Sequence, residues 1–188
     1  MRKTLPVFGF AVLLAAACGV QGSVLYFDDF SGAGGSPLNG TAPDVRPGAE
    51  NWTAGSLWED DGEKTGGGSQ NAWLPFSPAE ERVYTLSMEA NPKISTSRDW
   101  FAIGFSDGSQ TVNWHTDGST EVSAWMLNRE DDTSGSAVQT FLGPDTDGAA
   151  SHDLVPDVVG PVHLKVVLNT QPDNWTAEWF VEGDSVRG

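Results

Sequence analysis

The sequence predicts an all-β domain in which antiparallel strands form a two-sheet sandwich of the jelly-roll type. The first observation is that many short stretches alternate between apolar and polar residues, which is the two-residue period of a strand. The second is that turn-forming residues separate these stretches, since the chain contains 22 glycines and 11 prolines among 188 residues. The third is that no helical period of useful length is found in the predicted domain.

We expect residues 1–22 to be a secretory signal peptide. Arg2 and Lys3 form a short positive segment, residues 5–17 are mostly apolar, and small residues follow. An apolar segment of this length is too short to span a membrane and has the anatomy of a cleaved leader. The mature protein is then a single domain over residues 23–188, secreted or held at the cell surface.

The cleavage position has an alternative. Small residues favour cleavage after Gly22, but cleavage after Ala17 is also compatible with the pattern. The single cysteine of the chain, Cys18, lies in a weak likeness of a lipoprotein box, in which Ala15 takes the place of the usual leucine. We favour a cysteine that is removed with the leader, which leaves a domain without disulfides.

The predicted strands are bounded by turn signals along the whole domain. In chain order they span 23–30, 52–58, 71–76, 83–90, 99–106, 121–128, 137–142, 162–169 and 175–181. The clearest is 162–169, in which Val162, Leu164, Val166 and Leu168 share one face. The turn at 171–174 predicts that 175–181 returns antiparallel to it, with Trp175, Ala177, Trp179 and Val181 aligned.

The stretch 99–106 is predicted to be the central strand of a sheet. Phe101, Ile103 and Phe105 would point to one face, and Trp100 and Ala102 to the other, because side chains alternate along a strand. A strand that is apolar on both faces is typical of the middle of a sheet.

The charge of the chain excludes some classes of partner. The formal net charge is −16, so the protein lacks the excess of lysine and arginine that nucleic-acid phosphates require. The same charge disfavours adsorption to an anionic membrane surface. We therefore expect no nucleic-acid partner and no membrane span in the mature chain.

The sequence resembles a known family at several structural motifs. The motifs are 27–32, 38–41, 73–76 and 100–105, followed by the closing pair of strands. They are similar to the concanavalin A-like, or laminin-G-like, jelly-roll domain of secreted PEP-CTERM-type proteins of Verrucomicrobia-like bacteria. The resemblance implies the lectin and glucanase fold, but these motifs carry no catalytic signature.

The resemblance also implies that the sequence lacks one strand. Domains of this family usually close with a further strand after the last hairpin, whereas this sequence ends at Gly188, just after a turn signal. It contains no C-terminal sorting tail. We expect a C-terminally truncated domain, with an unpaired sheet edge beside the first strand.

The acidic clusters do not predict a glycosidase. A retaining enzyme needs two carboxylates about 5 Å apart, which on this fold usually come from one strand. The clusters 59–63, 80–81 and 130–132 instead lie at predicted strand ends or turns. We therefore expect a protein without a catalytic site.

A carbohydrate-binding face is the leading candidate site. Trp100, Glu121 and Trp125 would share a concave sheet face with His163 and Lys165. A flat aromatic ring would stack on a sugar ring, and the polar groups would bind its hydroxyls. The alternative is that both tryptophans only cover the sheet.

No cofactor is expected, with calcium as the one alternative. Asp145 and Asp147 begin a loop that resembles an EF-hand, but Pro156 stands where the twelfth-position glutamate is required. Four other aspartates are looser alternatives: Asp28, Asp29, Asp60 and Asp61.

The expected function is that of an exported, non-catalytic binding or cell-surface module, with an extracellular glycan or envelope polysaccharide as its partner. The first alternative is a structural or adhesive protein without a small ligand. A polysaccharide-degrading enzyme is the third.

Overall fold

The fold is known from a computed structural model. It describes residues 23–65, 70–90, 100–106, 122–131, 135–142, 151–153, 161–171, 173 and 175–186. The predicted leader and the motif at Asp145 and Asp147 lie outside these residues. The described part of the chain is all-β and contains no helix. Its strands are β1 (Thr53–Ala54), β2 (Ala72–Trp73), β3 (Val83–Ala90), β4 (Trp100–Ser106), β5 (Val122–Asp131), β6 (Gly135–Leu142), β7 (Ser151–Asp153), β8 (Val162–Asn169), β9 (Thr176–Val181) and β10 (Asp184–Val186).

The strands form two antiparallel four-stranded sheets and one short two-stranded sheet. The first large sheet has the order β10-β9-β8-β3, and the second has the order β4-β5-β6-β7. The small sheet pairs β1 with β2. The pairing of β3 with β8 joins strands that are distant in sequence, so this sheet is completed by non-local contacts.

One hydrophobic core joins the two large sheets. The first sheet contributes side chains such as Tyr84, Leu164 and Trp179, and the second contributes Ile103 and Met126. Because the inward faces of both sheets meet in one cluster, the architecture is sandwich-like.

The alternation predicted for 83–90, 162–169 and 175–181 is confirmed along most of each strand. Val162, Leu164, Val166 and Leu168 are buried, whereas the alternate positions of β8 are exposed or half-buried. In β9 the prediction fails only at Trp175, which precedes the strand and is exposed. The residue lies just before β9 and outside the ladder that this strand forms with β8.

The prediction that 99–106 is a central strand is wrong for the described sheets. β4 is the terminal strand of its sheet, and its described neighbour is β5. The interior strands are β5 and β6, and in β5 all four residues from Ala124 to Leu127 are buried. The stretches that form β4 and β5 are both apolar on two faces, so this pattern does not show which of them lies in the interior of the sheet.

The segment before β3 is mainly extended loop. The strand predicted over 23–30 is absent: that segment forms only an isolated bridge between Phe27 and Val45. The strands predicted over 52–58 and 71–76 shrink to the two-residue strands β1 and β2. Many glycines and prolines in this region limit how far a regular ladder can extend.

Aromatic side chains connect the segment before β3 to the hydrophobic core. The Tyr26 hydroxyl donates a hydrogen bond of 2.7 Å to the carbonyl of Pro75. The next residue, Phe76, packs edge-on against Tyr84, with ring centroids 4.9 Å apart, and also contacts Phe105 at 5.2 Å. Phe76 therefore touches both large sheets at once.

Two short strands were not predicted. β7 lies in a stretch that reads as irregular, and it pairs with β6. β10 follows the predicted turn after β9 and pairs with that strand. Glu182 and Gly183 both have positive φ, at 51° and 91°, which is the geometry of a tight two-residue hairpin turn.

Candidate functional site

The structure does not form the predicted carbohydrate face as one surface. Glu121 lies outside the described residues, and of Trp100 only the backbone in β4 is described. Trp125 is 4% exposed, so its ring is not open to stack on a sugar. It lies opposite Gly104 in the β4–β5 ladder, where an added Cβ would overlap the Trp125 Cβ.

His163 and Lys165 lie in the other sheet and face away from the core. They alternate in β8 with the core residues Val162, Leu164 and Val166, so they point outward. Trp125 likewise alternates with the core residues of β5 and points away from the core on the other sheet. The predicted tryptophan and the two basic residues therefore belong to opposite outer faces.

A row of side chains crosses the outer face of the first sheet. Lys165 lies opposite Phe180 in the β8–β9 pair, and Phe180 lies opposite Ser185 in the β9–β10 pair. Directly opposed residues share one face of a sheet. We call Lys165, Phe180 and Ser185 the outer row. The Lys165 Nζ lies 3.8 Å from the centroid of the Phe180 ring, which is a cation–π contact.

His163 lies at the end of the sheet where the β9–β10 turn folds over. Its backbone N–H donates a hydrogen bond of 2.6 Å to Oε1 of Glu182, and the Glu182 N–H donates one of 2.9 Å to the His163 carbonyl. These two bonds hold the hairpin turn against β8. The backbone at His163 is therefore held in place by hydrogen bonds within the chain.

An aromatic residue that was predicted to be aligned with the core residues of β9 is exposed instead. Trp175, at the start of the returning strand, is 43% exposed. The exposed residues Gln171 and Asp173 lie in the turn before it. The sequence does contain an indication of this exposure. Trp175 directly follows the turn at 171–174, and a side chain at that position can lie outside the sheet.

A buried threonine anchors the turn that carries Trp175. Thr170 is 2% exposed, and its hydroxyl donates a hydrogen bond of 2.7 Å to the Ala79 carbonyl. The same oxygen accepts a hydrogen bond of 3.0 Å from the Arg82 backbone N–H. The turn is thereby tied to the chain that precedes β3. We call Trp175, Gln171 and Asp173 the turn site.

Three carboxylates meet in the N-terminal segment. Asp28, Asp29 and Asp44 each bring one carboxylate oxygen within 4.8 Å of the others. Two of these, Asp28 and Asp29, were among the looser calcium alternatives, whereas Asp44 was not. The other two alternatives, Asp60 and Asp61, lie against the glycine loop at Gly32 and Gly34 and are not part of this group.

Hydrogen bonds within the chain account for much of this cluster. Asp28 accepts bonds at both oxygens, from the Trp52 indole at 2.6 Å and from the Phe30 backbone at 2.9 Å. Asp29 accepts from the Ser31 backbone, and Asp44 accepts from the Asp29 backbone. Hard oxygen ligands of this kind suit calcium, but these contacts are equally those of a folded loop, so the cluster does not by itself assign a metal.

The pKa values of two neighbouring carboxyls move in opposite directions. Burial raises the pKa of Asp28, while the hydrogen bonds from Trp52 and Phe30 oppose the rise. Hydrogen bonds from Ser31 lower the pKa of Asp29, which is open to solvent. Opposed shifts are also found in catalytic acid pairs, but here both oxygens of Asp28 are occupied by structural donors.

No protein-family model, no curated protein and no solved structure matches this chain. In the part of the chain that the structure describes, no helix is both long and apolar enough to cross a membrane.

Proposed function

We propose that the chain is an exported, non-catalytic module of the concanavalin A-like, jelly-roll type, and that it binds an extracellular glycan at the turn site. The exposure of Trp175 carries the proposal. Among the described tryptophans it is the exposed one, at 43%, and it stands on a turn anchored by a buried hydrogen-bonded threonine.

The turn site has the chemistry that sugar recognition uses. An indole ring offers a flat apolar surface to the C–H face of a sugar ring. An amide and a carboxylate nearby can bind the hydroxyls, since one donates and accepts and the other accepts strongly. Because β8 and β9 hold both ends of the turn, little ordering is needed on binding.

The acidic residues support a binding role over a catalytic one. The three carboxylates that the described structure brings together are engaged by the indole of Trp52 and by backbone N–H groups. A general acid must offer its proton to the substrate, and Asp28 is 9% exposed with both oxygens bonded. A purely structural or adhesive protein remains the second candidate.

The test is binding of the full mature chain to a panel of polysaccharides by isothermal titration calorimetry, with calcium and with chelator. We expect saturable binding that Trp175→Ala abolishes and that Trp175→Phe retains in part, because phenylalanine keeps an aromatic surface. Val45→Ala, at an equally exposed apolar residue far along the chain, is the matched control.

The outcome of this experiment distinguishes between a binding module, an enzyme and a structural protein. Binding that disappears with chelator would place a calcium ion in the interaction, and release of sugar fragments would establish the enzyme. A folded sample that binds no polysaccharide would refute the glycan proposal and favour the structural protein.

A further inference from the structure

Exposed acidic residues lie at the turn site and directly beside it. Asp173 belongs to the site and is exposed. Glu80 and Glu81 are exposed in the chain that is hydrogen-bonded to Thr170, the residue directly before the turn. The Glu81 backbone N–H donates a hydrogen bond of 3.1 Å to the Thr170 carbonyl. This connection places both glutamates next to the turn that carries Trp175.

One arginine opposes these three acids. Arg82 follows them in the chain, and its guanidinium Nη1 donates a hydrogen bond of 3.3 Å to the Glu81 carbonyl. Lys165 of the outer row is more remote, since it lies four residues before Asn169 at the end of β8, which is about 13 Å along the strand. Salt screens exposed charges substantially over that distance. The formal charge around the turn site is therefore negative.

The Trp175 indole can contact a cation as well as a sugar ring. It is 43% exposed, and the electron-rich face of an aromatic ring attracts an ammonium group, most strongly in tryptophan. An exposed indole beside acidic groups therefore attracts a ligand that is both a sugar and a cation. An acidic sugar would instead meet charges of its own sign.

We propose that the turn site binds an amino sugar unit with a free ammonium group, whose ring lies against Trp175 and whose ammonium binds the Asp173 carboxylate. The inference rests on the proposed function, since it assigns a chemical class to the glycan bound at the same site. Asp173 has this role because it lies in the same turn, two residues before Trp175. An ammonium-to-carboxylate hydrogen bond is stronger than one between neutral groups. The formal net charge of −16 favours the approach of the same class of ligand.

The experiment compares three β-1,4-linked hexasaccharides that differ in the group at carbon 2. Cellohexaose carries a hydroxyl, the N-acetylglucosamine hexamer a neutral acetamide, and the glucosamine hexamer an ammonium group. Affinities for the full mature chain are measured by isothermal titration calorimetry at fixed ionic strength and at a mildly acidic pH, at which the amine is protonated. We expect the glucosamine hexamer to bind about five- to tenfold more tightly than the N-acetylated one, which is the combined effect of an exposed charge pair and a cation–π contact.

Asp173→Asn should remove this preference, and Asp184→Asn is the matched control. Asp184 is exposed at the start of β10, at the other end of β9. The six residues of β9 span about 20 Å, so the charge of Asp184 is screened from the turn site. Asp184→Asn should therefore keep the preference. Equal weakening by the two substitutions would show attraction by the overall charge alone and would overturn the inference.

The remaining outcomes separate the inference from the proposed function. Equal affinity for the glucosamine and N-acetylglucosamine hexamers would overturn the inference and leave the glycan proposal standing. Binding of another polysaccharide of the panel, with no binding of the glucosamine hexamer, would have the same meaning. A folded sample that binds neither the hexamers nor any polysaccharide would refute both proposals.

Discussion

The Trp52 indole N–H donates a hydrogen bond of 2.6 Å to Oδ2 of Asp28, which lies 24 residues earlier in the chain. The bond is buried, and the same carboxylate accepts the Phe30 backbone N–H through its other oxygen. Phe30 itself has φ at 50° and its ring lies 5.7 Å from that of Trp52. One aspartate therefore organises the loop that precedes β1.

Replacing Asp28 by alanine should lower the free energy of unfolding by about 1–3 kcal/mol, because it leaves a buried indole N–H without an acceptor. The measurement is equilibrium urea denaturation. Asp29→Ala is the matched control at the next residue, and it should lower the stability less, since that carboxylate is less buried than Asp28 and accepts its hydrogen bond from the Ser31 backbone N–H. Equal losses in the two variants would refute the role given to the indole bond.

Stability should also depend on pH through Asp28. Its folded pKa is raised by burial above the ordinary value of 3.8, so the folded state holds this proton more tightly than the unfolded state. The contribution of this carboxyl to stability is then fully present below pH 3.8 and is lost as the pH rises through the folded pKa. In Asp28→Asn this dependence of the stability on pH should be absent.

The check is a set of denaturation curves from pH 3 to pH 7 for the wild-type protein and for Asp28→Asn. Asp29 makes the opposite contribution, because hydrogen bonds lower its pKa and its stabilisation is lost as the pH falls. Asp29→Asn therefore serves as the comparison. Parallel profiles for the wild-type protein and Asp28→Asn would contradict the assignment.

Gly104 is required by the approach of β4 to β5. A Cβ at this position would overlap both the Trp125 Cβ and the Ala124 carbonyl oxygen. Gly104→Ala should therefore destabilise the protein by about 1–3 kcal/mol, the usual cost of overpacking. Thermal unfolding followed by circular dichroism measures the effect. Ala102→Ser, which tests the same face of β4 two residues away, should be much milder.

The anchoring of the turn site by Thr170 can be tested separately from stacking. Thr170→Val removes the hydroxyl and leaves the Arg82 backbone N–H without this acceptor, which should cost about 1–3 kcal/mol. We also expect weaker glycan binding, because the turn that carries Trp175 loses its side-chain hydrogen bonds and keeps only the backbone bonds of Thr170 with Glu81 and Arg82. Thr176→Val, at an exposed position of β9, should affect neither quantity. Unchanged affinity in folded Thr170→Val would show that the tether is not needed for binding.

The local pattern of the sequence predicted the strands β3, β8 and β9 well. The alternation of Val162, Leu164, Val166 and Leu168 identified both a strand and its buried face, and the structure confirms it. Side-chain direction alternates residue by residue, so this information is contained in the stretch itself. The turn after β8 and the antiparallel return of β9 were predictable for the same reason.

The order of the strands was not predictable from such local patterns. The stretches that became β4 and β5 are both apolar on two faces, and only the pairing of β5 with β6 places β5 in the interior. The short strands β7 and β10 depend on neighbours that supply their hydrogen bonds. Strand order is a property of long-range pairing, whereas periodicity is a property of a few consecutive residues.

The same distinction between local sequence pattern and long-range packing applies to the candidate site. The sequence by itself determined the all-β class, the acidic surface and the outward positions of His163 and Lys165, because composition and alternation are local properties. Only the tertiary structure decided that Trp125 is buried, that Trp175 is exposed and that Lys165 meets Phe180. Burial and contact depend on which strands and loops pack together, and that is decided by residues far apart in the chain.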